Sequence, residues 1–239
     1  MRRAILALVL TLVWTSSALA QVSVVGSEGK DCGWVASCSP DAGVVTQSGD
    51  LLIVMVALRN LPTNVTVSDA TNGSWTCNAA LTHTATSRLA SICYFENSGA
   101  ATITPTVVPA EEDQIQLGFL VLRGMSPDGG IDDYATNTND AVTTHSHGEI
   151  TAASTAGAIF AVLTSTSMPD GWTGASGFTT LHNHPRGFMQ YRVSGAASLT
   201  TTASVTSGSA ATTGGVIASF FAAPASGGPR RGLLLGVGQ

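Results

Sequence analysis

The sequence predicts an all-β protein: a jelly-roll-like, two-sheet sandwich of roughly ten strands built from two pseudo-repeated halves. Three observations carry this. Short runs of β-branched and aromatic residues are separated by Asn-Gly, Asp-Gly, Ser-Gly and Gly-Gly pairs, the punctuation of hairpins and turns. No amphipathic helical pattern extends beyond a turn or two. The order of landmarks in the first half recurs in the second.

Residues 1–20 read as a signal peptide: Arg2 and Arg3 precede an apolar run from Ala4 to Val13, and Ala18-Leu19-Ala20 ends in small residues before Gln21. The run is short for a membrane span, and no other apolar run is long enough, so a secreted, extracellular or periplasmic product without a span in the mature chain is expected. Its removal takes away two arginines and moves the formal net charge from −5 to −7. Charged residues make up only 10% of the chain against about 25% in ordinary domains, so Ser, Thr, Asn and Gly must form most of the surface. Such a composition excludes a basic nucleic-acid binder, a coiled coil and a charge-rich disordered chain.

A single β-sandwich domain is expected over residues 21–223, with pseudo-repeats at about 44–124 and 150–223 and a flexible tail over 224–239. Residues 21–47 are rich in Gly, Ser and Asp, with a short β-like start at Val22 to Val25. Leu51 to Leu58 is continuously apolar, the mark of a central strand covered on both faces. Residues 102–107 alternate, giving one wet face, and Pro105 places them toward an edge. Leu117 to Leu122 supplies another apolar strand.

In the second half, Gly157 to Leu163 answers Gly49 to Leu58, and Val216 to Phe221 answers Leu117 to Leu122. Trp75 and Trp172, each in a Gly-Ser-Trp-Thr or Gly-Trp-Thr turn, lie 97 residues apart, and the two Ser-Gly-Ala-Ala turns 96 apart. Neither half alone offers two sheets to bury one apolar face against another, so the halves are expected to form one sandwich. The segment between them, 125–149, is polar and reads as a long crossover with an extended stretch.

Cys32, Cys38, Cys77 and Cys93 are even in number and fit an oxidising compartment. Three pairings are open. The preferred one is a local clip, Cys32 to Cys38, and a cross-strand staple, Cys77 to Cys93. Zinc is disfavoured because no Cys-x-x-Cys pair occurs.

The order Ser-Gly-Asp-Leu-Leu-Ile-Val, Asn-Gly-Ser-Trp-Thr, an aromatic strand ending in Ser-Gly-Ala, a Thr-rich strand and an apolar strand ending at Arg123-Gly124 resembles jelly-roll-type β-sandwich domains of secreted bacterial proteins and of phage tail or virion proteins. The resemblance covers about residues 44–223. It implies a display or adhesion module, mostly of unassigned function, and carries over no active-site residues.

Chemistry-bearing candidates are few. His145 and His147, and His182 and His184, form two His-x-His pairs; on a strand both rings of a pair share one face, so two such strands could build a transition-metal site. Asp128, Asp132, Asp133 and Asp140 form an acidic, turn-rich segment of the kind calcium uses, although its spacing does not match the twelve-residue calcium loop. No cofactor is otherwise expected. Trp75 and Trp172 recur at matched positions and so read as structural, leaving Trp34 and Tyr134 as the aromatics that could stack on sugar.

No nucleophile elbow is present, and Glu111-Glu112-Asp113 reads as an exposed turn rather than an acid/base pair. No catalytic residues are assigned. The expected function is a non-catalytic structural, adhesive or virion-associated display protein, homo-oligomeric or attached through its tail, partnered by a cell-surface or particle protein. The alternative is an extracellular carbohydrate-binding module with a glycan as ligand, and a hydrolase ranks third.

Overall fold

The computed structural model describes residues 21–60, 64–85, 87–126, 130–152, 157–169, 171–194 and 199–223. The expected signal peptide, the tail over 224–239 and Asp128 lie outside the described residues. Among the described residues every regular element is a strand, and all pairings between them are antiparallel.

Ten strands form two large sheets. They are β1 (Ser23–Val35), β2 (Leu51–Leu58), β3 (Thr76–Ala85), β4 (Arg88–Phe95), β5 (Asp113–Arg123), β6 (Ile131–His145), β7 (Gly157–Ser165), β8 (Thr179–His184), β9 (Gly187–Ser194) and β10 (Val205–Phe221). The first sheet has the order β1-β5-β2-β4-β3, the second β6-β10-β7-β9-β8, with Trp172–Thr173 pairing beside β10. Counted from its own first strand, each sheet runs first, fifth, second, fourth, third.

The sheets lie face to face, with β2 against β7, β1 against β8 and β3 against β6. Exchanging the two sheets strand for strand maps each of these pairs onto another or onto itself. Between the sheets, Ile53, Met55, Ile92, Leu120 and Leu122 meet Phe160, Val162, Met189, Val216 and Phe220. Phe220 makes edge contacts to Tyr94 at 5.2 Å and Phe160 at 5.6 Å, a favoured aromatic geometry. Gly118 permits the approach: a Cβ there would lie 2.7 Å from Leu181 Cδ2 and 2.8 Å from Met189 Sδ.

The outer faces correct the expectation that neither half has a second layer. β2 and β7 are buried along their whole lengths, so each needs apolar cover on its outer face as well. In the first half Leu52, Val54, Val56 and Leu58 pack under Val65, Val67, Trp75, Ile103 and Val107. These come from a three-stranded sheet of Val65–Asp69, Gly73–Ser74 and Thr106–Pro109 and from the pair Val44–Val45 and Thr102–Ile103. Pro105 sits at the break between the last two pairings, where it has no N–H to lose.

In the second half Ile159, Ala161 and Ile217 pack under Ile150, Ala152 and Ala203, beneath the two strands Ile150–Ala152 and Leu199–Thr201. A separate group of Leu163, Trp172, Phe188 and Val205 closes one end. The described architecture is therefore four-layered, with short strands beyond the expected ten.

Two segments read as irregular are long strands. β1 and β6 each form one edge of a large sheet, and their alternating partial exposure accounts for their polar, glycine-rich sequences. Both preferred disulfides are present. Cys77 and Cys93 face each other across β3 and β4, with Cα atoms 4.3 Å apart, and Cys32 and Cys38 are bridged at 6.0 Å.

Candidate functional site

The two histidine pairs do not meet. His145, fully buried at the end of β6, has Nδ1 3.0 Å from Thr213 Oγ1 and Nε2 2.8 Å from Ser207 Oγ. Ser207 donates its own proton to the Ser209 carbonyl, and Thr213 Oγ1 already accepts from Asn139. His145 therefore donates from Nε2 and accepts at Nδ1. It cannot take a proton from Ser207, the direction a serine nucleophile needs.

His147 is also fully buried; its Nδ1 donates to the Ala203 carbonyl at 2.7 Å, and Nε2 has no partner. Burial lowers its pKa to about 4, against a smaller rise from the Ala203 bond. Burial also lowers His145.

His182 and His184 share one face of β8 with their rings stacked at 6.1 Å, at the seam with β1. His184 accepts the Arg186 N–H at Nδ1 and so presents Nε2–H to Asp31, 3.3 Å away. Trp172 separates the two pairs: its ring meets His145 edge-on at 5.2 Å, while its Nε1 donates to the His184 carbonyl. Among the described residues no group of three or more His, Cys, Asp or Glu is placed to hold a metal ion.

Of the acidic residues, Asp132, Asp133 and Asp140 lie on the strand β6, with a register irregularity between Ile131 and Asp133. Asp133 accepts the N–H groups of Tyr134 and Thr151, tying β6 to the cover strand, and Asp132 accepts from Ser219.

Trp75 and Trp172 are buried, as their repetition implied. Trp75 packs on Phe95 and Phe119 and donates to Asp69 at 2.6 Å. Burial by itself raises the Asp69 carboxyl, but the donors on Asn72, Trp75 and Thr71 outweigh it and hold it below its ordinary value.

Trp34 is 54% and Tyr134 48% exposed. They stand on β1 and β6, at opposite edges of the sandwich, and do not form one surface. No protein-family model matches the chain, and no curated protein matches it. The site is thus read from its own residues.

What surrounds Trp34 escaped sequence reasoning. The Arg59 guanidinium lies over its ring, 5.5 Å from the centroid, and Arg59 Nη1 reaches Gln114 at 3.5 Å. Arg59 begins the turn after β2. The end of β7 gathers two more arginine-bearing turns at the same corner. Thr164 Oγ1 sits 3.4 Å from the Leu58 carbonyl and 3.5 Å from that of Arg186, Ser165 N–H donates to Arg186 O at 3.0 Å, and Arg88 donates to Thr166 O at 3.2 Å.

Arg88 opens β4 and Arg186 lies in the turn just before β9, each at the hairpin between the third and fourth strands of its sheet. Gly187 lets the second hairpin in: a Cβ there would lie 2.9 Å from that of Ala57 and 3.1 Å from Gln116 Oε1. Residues 59, 88 and 186 share no motif, so only the scarcity of cations in the chain hinted that three of them together would mean something.

Proposed function

We propose that the protein is an exported, non-catalytic β-sandwich module acting in adhesion or surface display, with a cell-surface or particle protein as partner. The observation that carries this reading is the use made of its polar side chains: His145, His147, Asp69, Asp113 and Asp133 are all engaged as donors or acceptors for the scaffold. A group already committed in this way is not free to shuttle a proton. The two disulfides suggest an oxidising compartment, which supports export.

Two finer points belong to this reading. The jelly-roll likeness is supported by the way each half alternates between its large sheet and its cover, and the origin of the halves as a repeat by their shared strand order. Attachment through the tail or assembly into a homo-oligomer completes the reading.

A second reading, an extracellular carbohydrate-binding module, is favoured by Trp34, an exposed indole beside a cation and a side-chain amide. A glycan array, native mass spectrometry with and without Ca²⁺ and a hydrolase panel on the purified oxidised protein separate these. The display reading expects no turnover, a defined assembly and no glycan bound. Saturable glycan binding abolished by Trp34→Ala would move the assignment to the second reading, and a specific hydrolytic rate lost in His145→Gln would overturn both.

A further inference from the structure

We infer that Arg59, Arg88 and Arg186 form a binding site for a tetrahedral oxyanion, the sulfate or phosphate group of an acidic saccharide whose ring extends toward Trp34. The oxyanion site stands on the arginines alone, and only the saccharide part rests on the carbohydrate-binding reading above.

Three facts point to it. The first is concentration of charge. Six of the chain's ten Lys and Arg residues are described, and three of those six are drawn to one corner of a protein with net charge −5. The second is the lack of a carboxylate partner. Lys30 pairs with Asp41 and Arg123 with Asp50, whereas among the described residues no carboxylate lies within ion-pairing reach of Arg59, Arg88 or Arg186.

The acid whose charge acts on Arg88 is Asp113, which is buried and spends its oxygens on the N–H groups of Arg59, Asn60 and Gln114. His184 bonds the Arg186 backbone and faces Asp31, so it adds no negative charge. The third is an orphan donor: Arg88 Nη1 is shielded from solvent and has no hydrogen-bond partner among the described residues. Burial lowers the proton affinity of Arg88, and the charges of Arg186 and Arg59 lower it further, with Asp113 acting against them.

Like charges assembled without a counter-charge cost stability, and a buried N–H left unpaired adds to that cost. A bound anion removes both. Three guanidinium groups offer more donors than the two oxygens of a carboxylate accept, and match the three peripheral oxygens of a sulfate or phosphate ester. Trp34, already stacked with Arg59, continues the surface with an apolar plate.

The test is isothermal titration of the purified oxidised protein with inorganic sulfate, inorganic phosphate, a sulfated disaccharide, a sugar phosphate and the neutral sugar. Saturable binding of at least one oxyanion is expected, weakened about tenfold or more in Arg59→Gln and in Arg186→Gln and unchanged in Arg192→Gln, an arginine outside the corner. Arg88 is the most enclosed of the three, so the test does not depend on replacing it.

Without added anion, Arg186→Gln should melt at or above the temperature of the parent, because a repulsion has been removed. With saturating sulfate or phosphate the order should reverse. No binding by any oxyanion, or equal weakening in Arg192→Gln, would overturn the site. If inorganic oxyanions bind through the arginines but the saccharide esters bind no more tightly, and Trp34→Ala changes nothing, the oxyanion site stands and the carbohydrate reading falls.

Discussion

The two halves share a strand order but secure their outer layers by different means. The first half covers its sheet with two small sheets, a continuous apolar core that includes Trp75 and Phe119, and the Cys77–Cys93 staple. The second half has a smaller, alanine-rich core beneath its cover and buries two imidazoles, His145 and His147, beside Gln190 and Thr213; the first half also buries polar groups, Thr46, Asp50, Ser98 and Asp113 among them, but no histidine. Gln190 illustrates the device, donating to the same Ala203 carbonyl that receives His147 and accepting from Ala175. The first half is thus secured by a larger apolar cover and a covalent bond, and the second by a smaller cover with hydrogen-bonded imidazoles buried in it. Hydrogen-bonded burial is the more conditional of the two, because a group that titrates can lose its place.

The halves should fail differently, and the largest effect tests where they are alike. Trp75→Ala and Trp172→Ala each remove a buried indole from positions matched in the sequence, and each should cost about 3–5 kcal/mol by denaturant unfolding. A much smaller loss for one of them would break the equivalence. Next, replacing Cys77 and Cys93 together by Ala should cost about 3 kcal/mol, the value for a loop of that length, and should loosen the first half more than the second.

The third prediction concerns acid. His147 has a pKa of about 4 in the folded protein against 6.5 when free, so below pH 6.5 the unfolded chain binds the proton that the folded one refuses. Its contribution is complete above pH 6.5 and is lost as pH falls toward 4, a loss of about 2 kcal/mol by pH 5. His147→Asn, which can keep the donor to Ala203 without titrating, should flatten the stability profile between pH 7 and 5. In the first half, Asp69 is held below its ordinary value of 3.8, so its contribution is kept above that pH and lost only in stronger acid. The smallest effect is Trp34→Ala, which should change stability by less than about 0.5 kcal/mol because its indole is mostly in solvent.

How much of this was legible depended on residue pattern. β2 and β7 were readable because strands buried on both faces must be apolar throughout, and Trp75 and Trp172 because they recur. β1 and β6 were not, since an edge strand with one wet face and glycines where the partner sheet presses close has a loop's composition. The cover strands of two to five residues are too short for a period to show. Asp132, Asp133 and Asp140 were read as turn residues for the same reason: they lie on β6, an edge strand with a loop's composition. The arginine corner is assembled by three turns far apart in sequence, joined only through the end of β7, and leaves no local trace.

The most direct test of the claim that the halves are held by different means is hydrogen exchange at pH 7 and pH 5, corrected for intrinsic rates and resolved by segment. Protection over Ile150–Ala152 and Leu199–Thr201 should fall at pH 5 while that over Val65–Asp69 and Thr106–Pro109 stays as it was. Equal loss in both covers, or earlier loss in the first, would contradict it.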